Sequence, residues 1–189
     1  MGSQWNNVIF SDEKVFTISK QGLKVWKRPH ESIMIQEPLK PTSLIVWRGI
    51  WINGRTSIHI TDSTIDADEY QNIIFEHVIA PEVDRDKLFQ QDNAPPHKAK
   101  STLEFFEAMD LELLQDYPPY SPELNPIEKV WSWMEAQVCQ MSPKNKEELM
   151  NAIDLCWKNL PQKTIKSYIS HLDTVCKKIK KAKGGSIRE

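Results

Sequence analysis

No apolar run in this chain approaches the roughly 18 residues that a membrane-spanning helix requires, and no signal-peptide core stands among the given residues. Cysteine is scarce. Cys139, Cys156 and Cys176 are odd in number, widely spaced and never paired as Cys-x-x-Cys, which argues against a zinc knuckle or a disulfide framework. Free thiols in a reducing compartment fit that usage, with Cys139 and Cys156 expected as small buried residues of helices. Excess positive charge is also missing. The formal net charge of -2 argues against binding nucleic acid through a globally basic surface. There is no internal repeat and no low-complexity segment.

What is present is an ordinary globular composition, 40% hydrophobic and 26% charged, over 189 residues, which favours one domain with a real core. The charge is uneven. From Lys158 to Glu189, nine Lys or Arg stand against Asp173 and Glu189, so the C-terminal segment is basic and the remainder acidic. A DNA-binding protein with an acidic centre has this distribution, and so does a solvated helix with a lysine tail. Met1-Gly2-Ser3 reads as a cloning scar, so an excised fragment is expected.

The first sixty residues read mainly as antiparallel strands. Val8–Phe10 is a short strand ending in polar Ser11-Asp12-Glu13-Lys14, with a second strand or tight hairpin from Val15. Leu23–Trp26 alternates, and Leu44–Ile52 is β-branched and aromatic. Asn53-Gly54 is a hairpin signal before Thr56–Ile60. The pattern then changes. Thr64 or Asp66 caps a helix from about Ala67 to Ile79, with Tyr70, Ile73, Ile74 and His77 on one side. Leu88–Gln91 is a short strand, and His97–Met109 a helix with Ala99, Leu103 and Phe106 inward. Leu111–Leu114 is a buried strand, and Asp116–Pro122 a proline-rich loop. Helices follow from Asn125 to about Gln140, from Ser142-Pro143 to Pro161, and from Gln162 to about Lys180. This order predicts an α/β domain, a mixed central sheet flanked by helices with a helical C-terminal end, and places the site at the C-terminal ends of strands.

Three carboxylates carry the functional signal. Asp12 lies in Val8-Ile9-Phe10-Ser11-Asp12-Glu13, and Asp92 in Gln90-Gln91-Asp92-Asn93-Ala94-Pro95-Pro96-His97. Glu128 lies in Tyr120-Ser121-Pro122-Glu123-Leu124-Asn125-Pro126-Ile127-Glu128-Lys129-Val130-Trp131. Hard oxygen ligands brought together from distant, rigid elements are what metal-dependent phosphoryl transfer needs. Each also has an architectural reading. Asp12 can open a turn, Asp92-Asn93 can form an Asx-turn, and Asn125-Pro126-Ile127-Glu128 is a helix start with Asn as N-cap and Glu in a capping box.

Together the three segments resemble the signatures of Tc1/mariner-type transposases. Asn-Pro-Ile-Glu is closer to Tc1-like and IS630-related members than to mariners, whose third acid is aspartate. The spacing of 35 residues between Asp92 and Glu128 is one longer than the commonest Tc1 spacing. The resemblance covers roughly residues 5–160. It implies the RNase H-like fold of the DDE superfamily, with residues 1–4 as scar and start, 5–176 as the catalytic domain and 177–189 as a basic, flexible tail. It implies cleavage at transposon ends by water and joining of the 3′-OH to target DNA. It implies two Mg²⁺ ions, replaceable by Mn²⁺, with Asp12 bridging and Asp92 and Glu128 each holding one ion. Partners would be transposon-end and target double-stranded DNA, a second copy in a homodimer, and no membrane. The location would be the nucleus of a eukaryote or the nucleoid of a bacterium. The family's N-terminal helix-turn-helix modules have no counterpart ahead of Trp5.

Asn93, His97 and Lys129 are the further candidates beside the acids. His97 would contact the scissile phosphate or make a structural hydrogen bond. Lys129 and Lys14 would meet DNA phosphate or be ordinary surface lysines. Trp131 reads as core, Tyr117-Pro118-Pro119-Tyr120 as a rigid loop, and Lys177–Lys183 as phosphate contacts, an import signal or a solvated helix end. Three clustered acids predict at least one raised pKa without metal. The competing readings are a domesticated, catalytically idle DNA- or protein-binding module, and an RNase H-like nuclease acting on another substrate.

Overall fold

A computed structural model describes residues 4–18, 41–83, 86–115, 117–118 and 121–182. The expected strand Leu23–Trp26 lies outside them, as do Asp116, Pro119 and Tyr120 of the proline-rich loop. A 3₁₀ turn, Gln4–Asn7, leads into β1 (Val8–Thr17). β2 (Ser43–Trp51), β3 (Gly54–Arg55) and β4 (His59–Thr61) follow, then α1 (Ala67–Ile74), which continues as a π turn, Phe75–Ile79. β5 (Leu88–Gln90), α2 (Pro95–Lys98) and α3 (Lys100–Ala108) come next. α4 (Ile127–Met141), α5 (Lys146–Asn159) and α6 (Gln162–Lys181) complete the described chain.

The sheet runs β3-β2-β1-β5, with β4 also paired to β2. β1 and β2 are antiparallel from Phe10↔Ile50 to Thr17↔Ser43, while β1 and β5 are parallel from Val8↔Leu88 to Phe10↔Gln90. The sheet is therefore mixed, and both faces are covered. Val8 and Phe10 pack with Ile127, Trp131 and Met134 of α4, Ile153 of α5 and Ile169 of α6. Ile9 and Phe89 pack on the other side with Tyr70, Ile73, Ile74 and Phe106 from α1 and α3. Alternating side-chain direction along β1 makes this split, and it explains why Val8–Phe10 reads as a continuous apolar run.

β1 does not stop at the polar residues. It runs unbroken through Asp12 to Thr17, because β2 supplies a full ladder opposite Ser11–Lys14. β5 ends opposite Phe10, so Asp12 sits in mid-strand, just past the end of its parallel neighbour. The turn after β2 falls on Ile52-Asn53. Gly54 enters the ladder opposite Trp51, whose indole lies where a Cβ on Gly54 would stand.

Other expectations need correction. The helix expected over His97–Met109 is broken at extended Ala99 into α2 and α3. The break turns Thr102 and Phe106 inward and leaves Leu103 45% exposed. Leu111–Leu114 forms only a parallel bridge, Phe89↔Leu113. α5 begins at Lys146 under an Asn145 cap rather than at Ser142, which instead closes α4 in the left-handed conformation at φ 51°. Cys156 is buried, but Cys139 is exposed. α6 runs from Gln162 to Lys181, within a residue of the end expected at about Lys180. Asp66 caps α1 as anticipated, its carboxylate accepting from the Glu69 N–H at 3.0 Å. No described helix is long and apolar enough to cross a membrane.

Candidate functional site

Asp12, Asp92 and Glu128 line one cleft of about 600 Å³, together with Gln90, Asn93, Lys98, Tyr117 and Asn125. Three elements converge there. β1 supplies Asp12, the segment after β5 supplies Asp92, and the first turn of α4 supplies Glu128. The three carboxylates expected from the sequence to converge are brought to one cleft. Among the described residues, no three His, Cys, Asp or Glu side chains are close enough to hold an ion by themselves.

Asn125 sets the position of Glu128. Its Oδ1 accepts from the Ile127 N–H at 3.2 Å and its carbonyl from the Glu128 N–H at 3.2 Å, so it caps α4 as expected. Its Nδ2 donates to the Ser11 carbonyl at 3.1 Å, tying the helix start to β1 beside Asp12. The reciprocal capping-box bond from Glu128 is not formed, which leaves that carboxylate to the cleft.

Asp12 faces α4, where the Trp131 indole N–H donates to its Oδ2 at 2.9 Å. Burial, then the charges of Glu13 and Glu128, push Asp12 from 3.8 up to about 7, against the opposing effect of Trp131. Arg48 is its cross-strand neighbour but does not neutralise it. That guanidinium is fully buried over the Trp157 ring, 4.0 Å from its centroid. Glu128 is also raised, chiefly by burial, with Lys14 opposing. Lys14 pairs with Glu135 at 3.1 Å.

Asp92 behaves oppositely. His97 holds its carboxyl below the usual range, and burial opposes that effect. His97 Nδ1 lies 2.6 Å from Asp92 Oδ1, and its Nε2 lies 3.3 Å from Glu13 Oε1. The ring is buried and stacks on Tyr70 at 4.0 Å. Burial alone would lower its pKa, but the two carboxylates override burial and raise it to about 9. The Asx-turn is also present, with the Ala94 N–H donating to Asp92 Oδ1 at 2.8 Å. Adjacent Asp12 and Glu13 thus point to opposite faces of β1, one to Trp131 and the other to His97.

Asn93 lines the cleft, His97 stands behind Asp92, and Lys129 is half-buried on α4, outside the described lining. The motifs singled out neither Lys98 nor Gln90 as site residues. Lys98 directly follows His97, and Gln90 stands two residues before Asp92, a strand-face spacing that would have flagged it. Trp131 is core as expected, buried with Phe16 edge-on at 6.1 Å, but it also touches Asp12. Its i+3 spacing from Glu128 placed it on that side of α4.

A family model described as DDE superfamily endonuclease matches residues 7–150. The Tcb2 transposase of Caenorhabditis briggsae is 30% identical over 191 residues, covering 95% of this chain and 69% of that protein. The Tc3 transposase of Caenorhabditis elegans is 28% identical over 99% of this chain, which spans only 59% of its length. In fold, the chain is similar to the crystal structure of the catalytic domain of Mos1 mariner transposase. The TM-score is 0.74 at 16% identity, over 98% of this chain and 86% of that one. A Mos1 transposase paired-end complex with left transposon end gives a TM-score of 0.80, at 16% identity, over 98% of this chain and 57% of that one. The sheet is thus the RNase H-like sheet that the resemblance implies. The chain belongs to the DDE superfamily endonucleases, as the catalytic domain of a Tc1/mariner-type transposase.

Proposed function

We propose that this chain cuts DNA at transposon ends and joins the 3′-OH to target DNA, with Asp12, Asp92 and Glu128 holding divalent ions. The observation that carries the reading is the convergence of the three acids on one cleft, with Asp12 raised to about 7 by its surroundings. A buried carboxylate with acidic neighbours gains most from a nearby cation.

The donor set fits Mg²⁺ or Mn²⁺, hard ions that take one or two carboxylates each and leave remaining positions to water and phosphate. Bound there, such ions activate an attacking water or 3′-OH and stabilise the leaving oxygen. Two ions per site are proposed, and Asp12, Asp92 and Glu128 are the residues that would hold them. Trp131 orients the Asp12 carboxylate, and Asn125 fixes the first turn of α4 and with it Glu128. His97 anchors Asp92, and Lys98 brings positive charge to an acidic cleft. Structures of the Mos1 transposase catalytic domain and Raltegravir, one with Mn and one with Mg, support divalent-ion use. The Mos1 paired-end complex with left transposon end supports transposon-end DNA as a partner, and target DNA is proposed with it.

The intact protein is further proposed to act as a homodimer, in the nucleus of a eukaryote or the nucleoid of a bacterium. Sedimentation of the intact protein with end DNA tests the dimer; a single copy per end pair would refute it. No observation favours the idle binding module.

The functional test is nicking and strand transfer on a pre-cleaved transposon-end oligonucleotide in Mg²⁺ or Mn²⁺. The parent protein is compared with Asp92→Asn and Glu128→Gln. Loss of several kcal/mol of transition-state stabilisation predicts a drop of roughly 10³-fold or more in each variant. Unchanged activity in either variant would place the chemistry elsewhere.

A further inference from the structure

Gln90 closes β5 opposite Phe10, and it lines the cleft with Asp12, Asp92 and Glu128. It is 1% exposed. Ser11 holds it twice. The Ser11 N–H donates to Gln90 Oε1 at 3.3 Å, and the Ser11 hydroxyl donates to the Gln90 carbonyl at 2.8 Å. The first of these bonds fixes which end of the amide is oxygen, since a nitrogen there would set donor against donor. Nε2 is left over. It is buried and has no acceptor among the described residues.

Native interiors seldom strand a buried donor, and a methionine of similar length would fill the same space without one. Asp12 and Asp92 line the same cleft and take donors elsewhere, Trp131 for Asp12 and Ala94 for Asp92, and neither accepts from Nε2. The missing acceptor therefore comes with the ligand. In a cleft that receives a phosphodiester, that acceptor is a non-bridging phosphate oxygen. Glutamine amides make such contacts, which position a strand without adding charge. Lys98, on the same lining, supplies the charge.

We propose that Gln90 is a substrate-contacting residue whose side-chain N–H donates to a non-bridging phosphate oxygen of the DNA strand in the cleft. The inference rests on the reading of the cleft as a DNA-cutting site and adds the contact that orients the phosphate there.

The experiment is a titration of the isotopically labelled chain with a short duplex, followed by NMR, with Ca²⁺ in place of Mg²⁺. The Gln90 side-chain amide pair is assigned by its loss in Gln90→Glu, which keeps the acceptor for the Ser11 N–H. A phosphodiester duplex shifts that pair. A duplex with methylphosphonates, in which a methyl group replaces one non-bridging oxygen, shifts it far less. Gln90→Met, shown to be folded by the same spectrum, weakens binding of the phosphodiester duplex about tenfold, as expected for one hydrogen bond to a charged group. Its further loss on methylphosphonates, the part due to charge, is about tenfold smaller than the parent's. If the Asn93 and Lys98 backbone amides shift while the Gln90 pair does not, DNA occupies the cleft without Gln90 and the inference fails alone. Equal shifts with both duplexes also overturn it. If no cleft resonance moves, DNA does not enter, and the functional reading fails with it.

Discussion

The Trp131 indole N–H donates to Asp12 Oδ2 across 2.9 Å, joining α4 to β1 at the most perturbed carboxylate of the site. The bond opposes burial by favouring the charged form of Asp12. Trp131→Phe keeps an aromatic ring against Phe16 but removes the donor. Its expected effect is to raise the Asp12 pKa above about 7 and to reduce activity near neutral pH, with little change in fold. Titration of the Asp12 carboxyl carbon by NMR measures the shift. An unchanged or lowered value would show that the indole does not tune this acid.

In the absence of metal the site's contribution to stability should fall as pH rises, because Asp12, Glu128 and His97 are all raised, against the opposite effect of His59 and His77, which burial lowers. Asp12 is raised from 3.8 to about 7, so the folded state keeps a proton that the unfolded chain loses. Its contribution is full below 3.8 and is lost as pH climbs through about 7. His97 is raised from 6.5 to about 9, so its contribution is full below 6.5 and is lost through about 9. Asp92, lowered, acts only at the acid end, losing its contribution as pH falls below 3.8. Thermal midpoints measured across this range in chelator should decline with pH, and Asp12→Asn should flatten the lower limb. A midpoint that rises from pH 4 to pH 7 would contradict the assignment.

Asn125→Ala removes both the cap of α4 and the tether to Ser11. The expected loss is about 1–2 kcal/mol, or a fall in melting temperature of roughly 2–8 °C for a domain of this size. Asn125→Asp keeps the cap but loses the Nδ2 donor, so it should recover part of the stability without the alignment of Glu128. Calorimetry together with the nicking rate separates the two effects. Equal stability and equal rate in both variants would mean that the tether carries no function.

Local signals made much of this legible in the sequence. Asp66 before a periodic run, the Asn125-Pro126 helix start and the Asx-turn at Asp92 all depend on neighbours within a few residues, and all are present. The convergence of Asp12, Asp92 and Glu128 is carried by motif resemblance, because contacts between residues separated by 79 and 35 others leave no local trace. What depends on tertiary pairing was missed. The unbroken course of β1 through Asp12 is set by β2, and the break at Ala99 is visible only where α2 leaves His97 against Asp92 and Glu13. In sequence Gln90 and Trp131 are ordinary strand and core residues, and only the fold shows what their polar atoms meet.

The central claim is that Asp12, Asp92 and Glu128 form one metal site. Anomalous diffraction from crystals of this chain soaked in Mn²⁺, beside Asp92→Asn, tests it most directly. Manganese peaks are expected in the cleft bounded by the three carboxylates, with Asp12 as a ligand, and at least one peak should be lost in the variant. Peaks elsewhere, or cleft peaks that Asp92→Asn leaves intact, would contradict it.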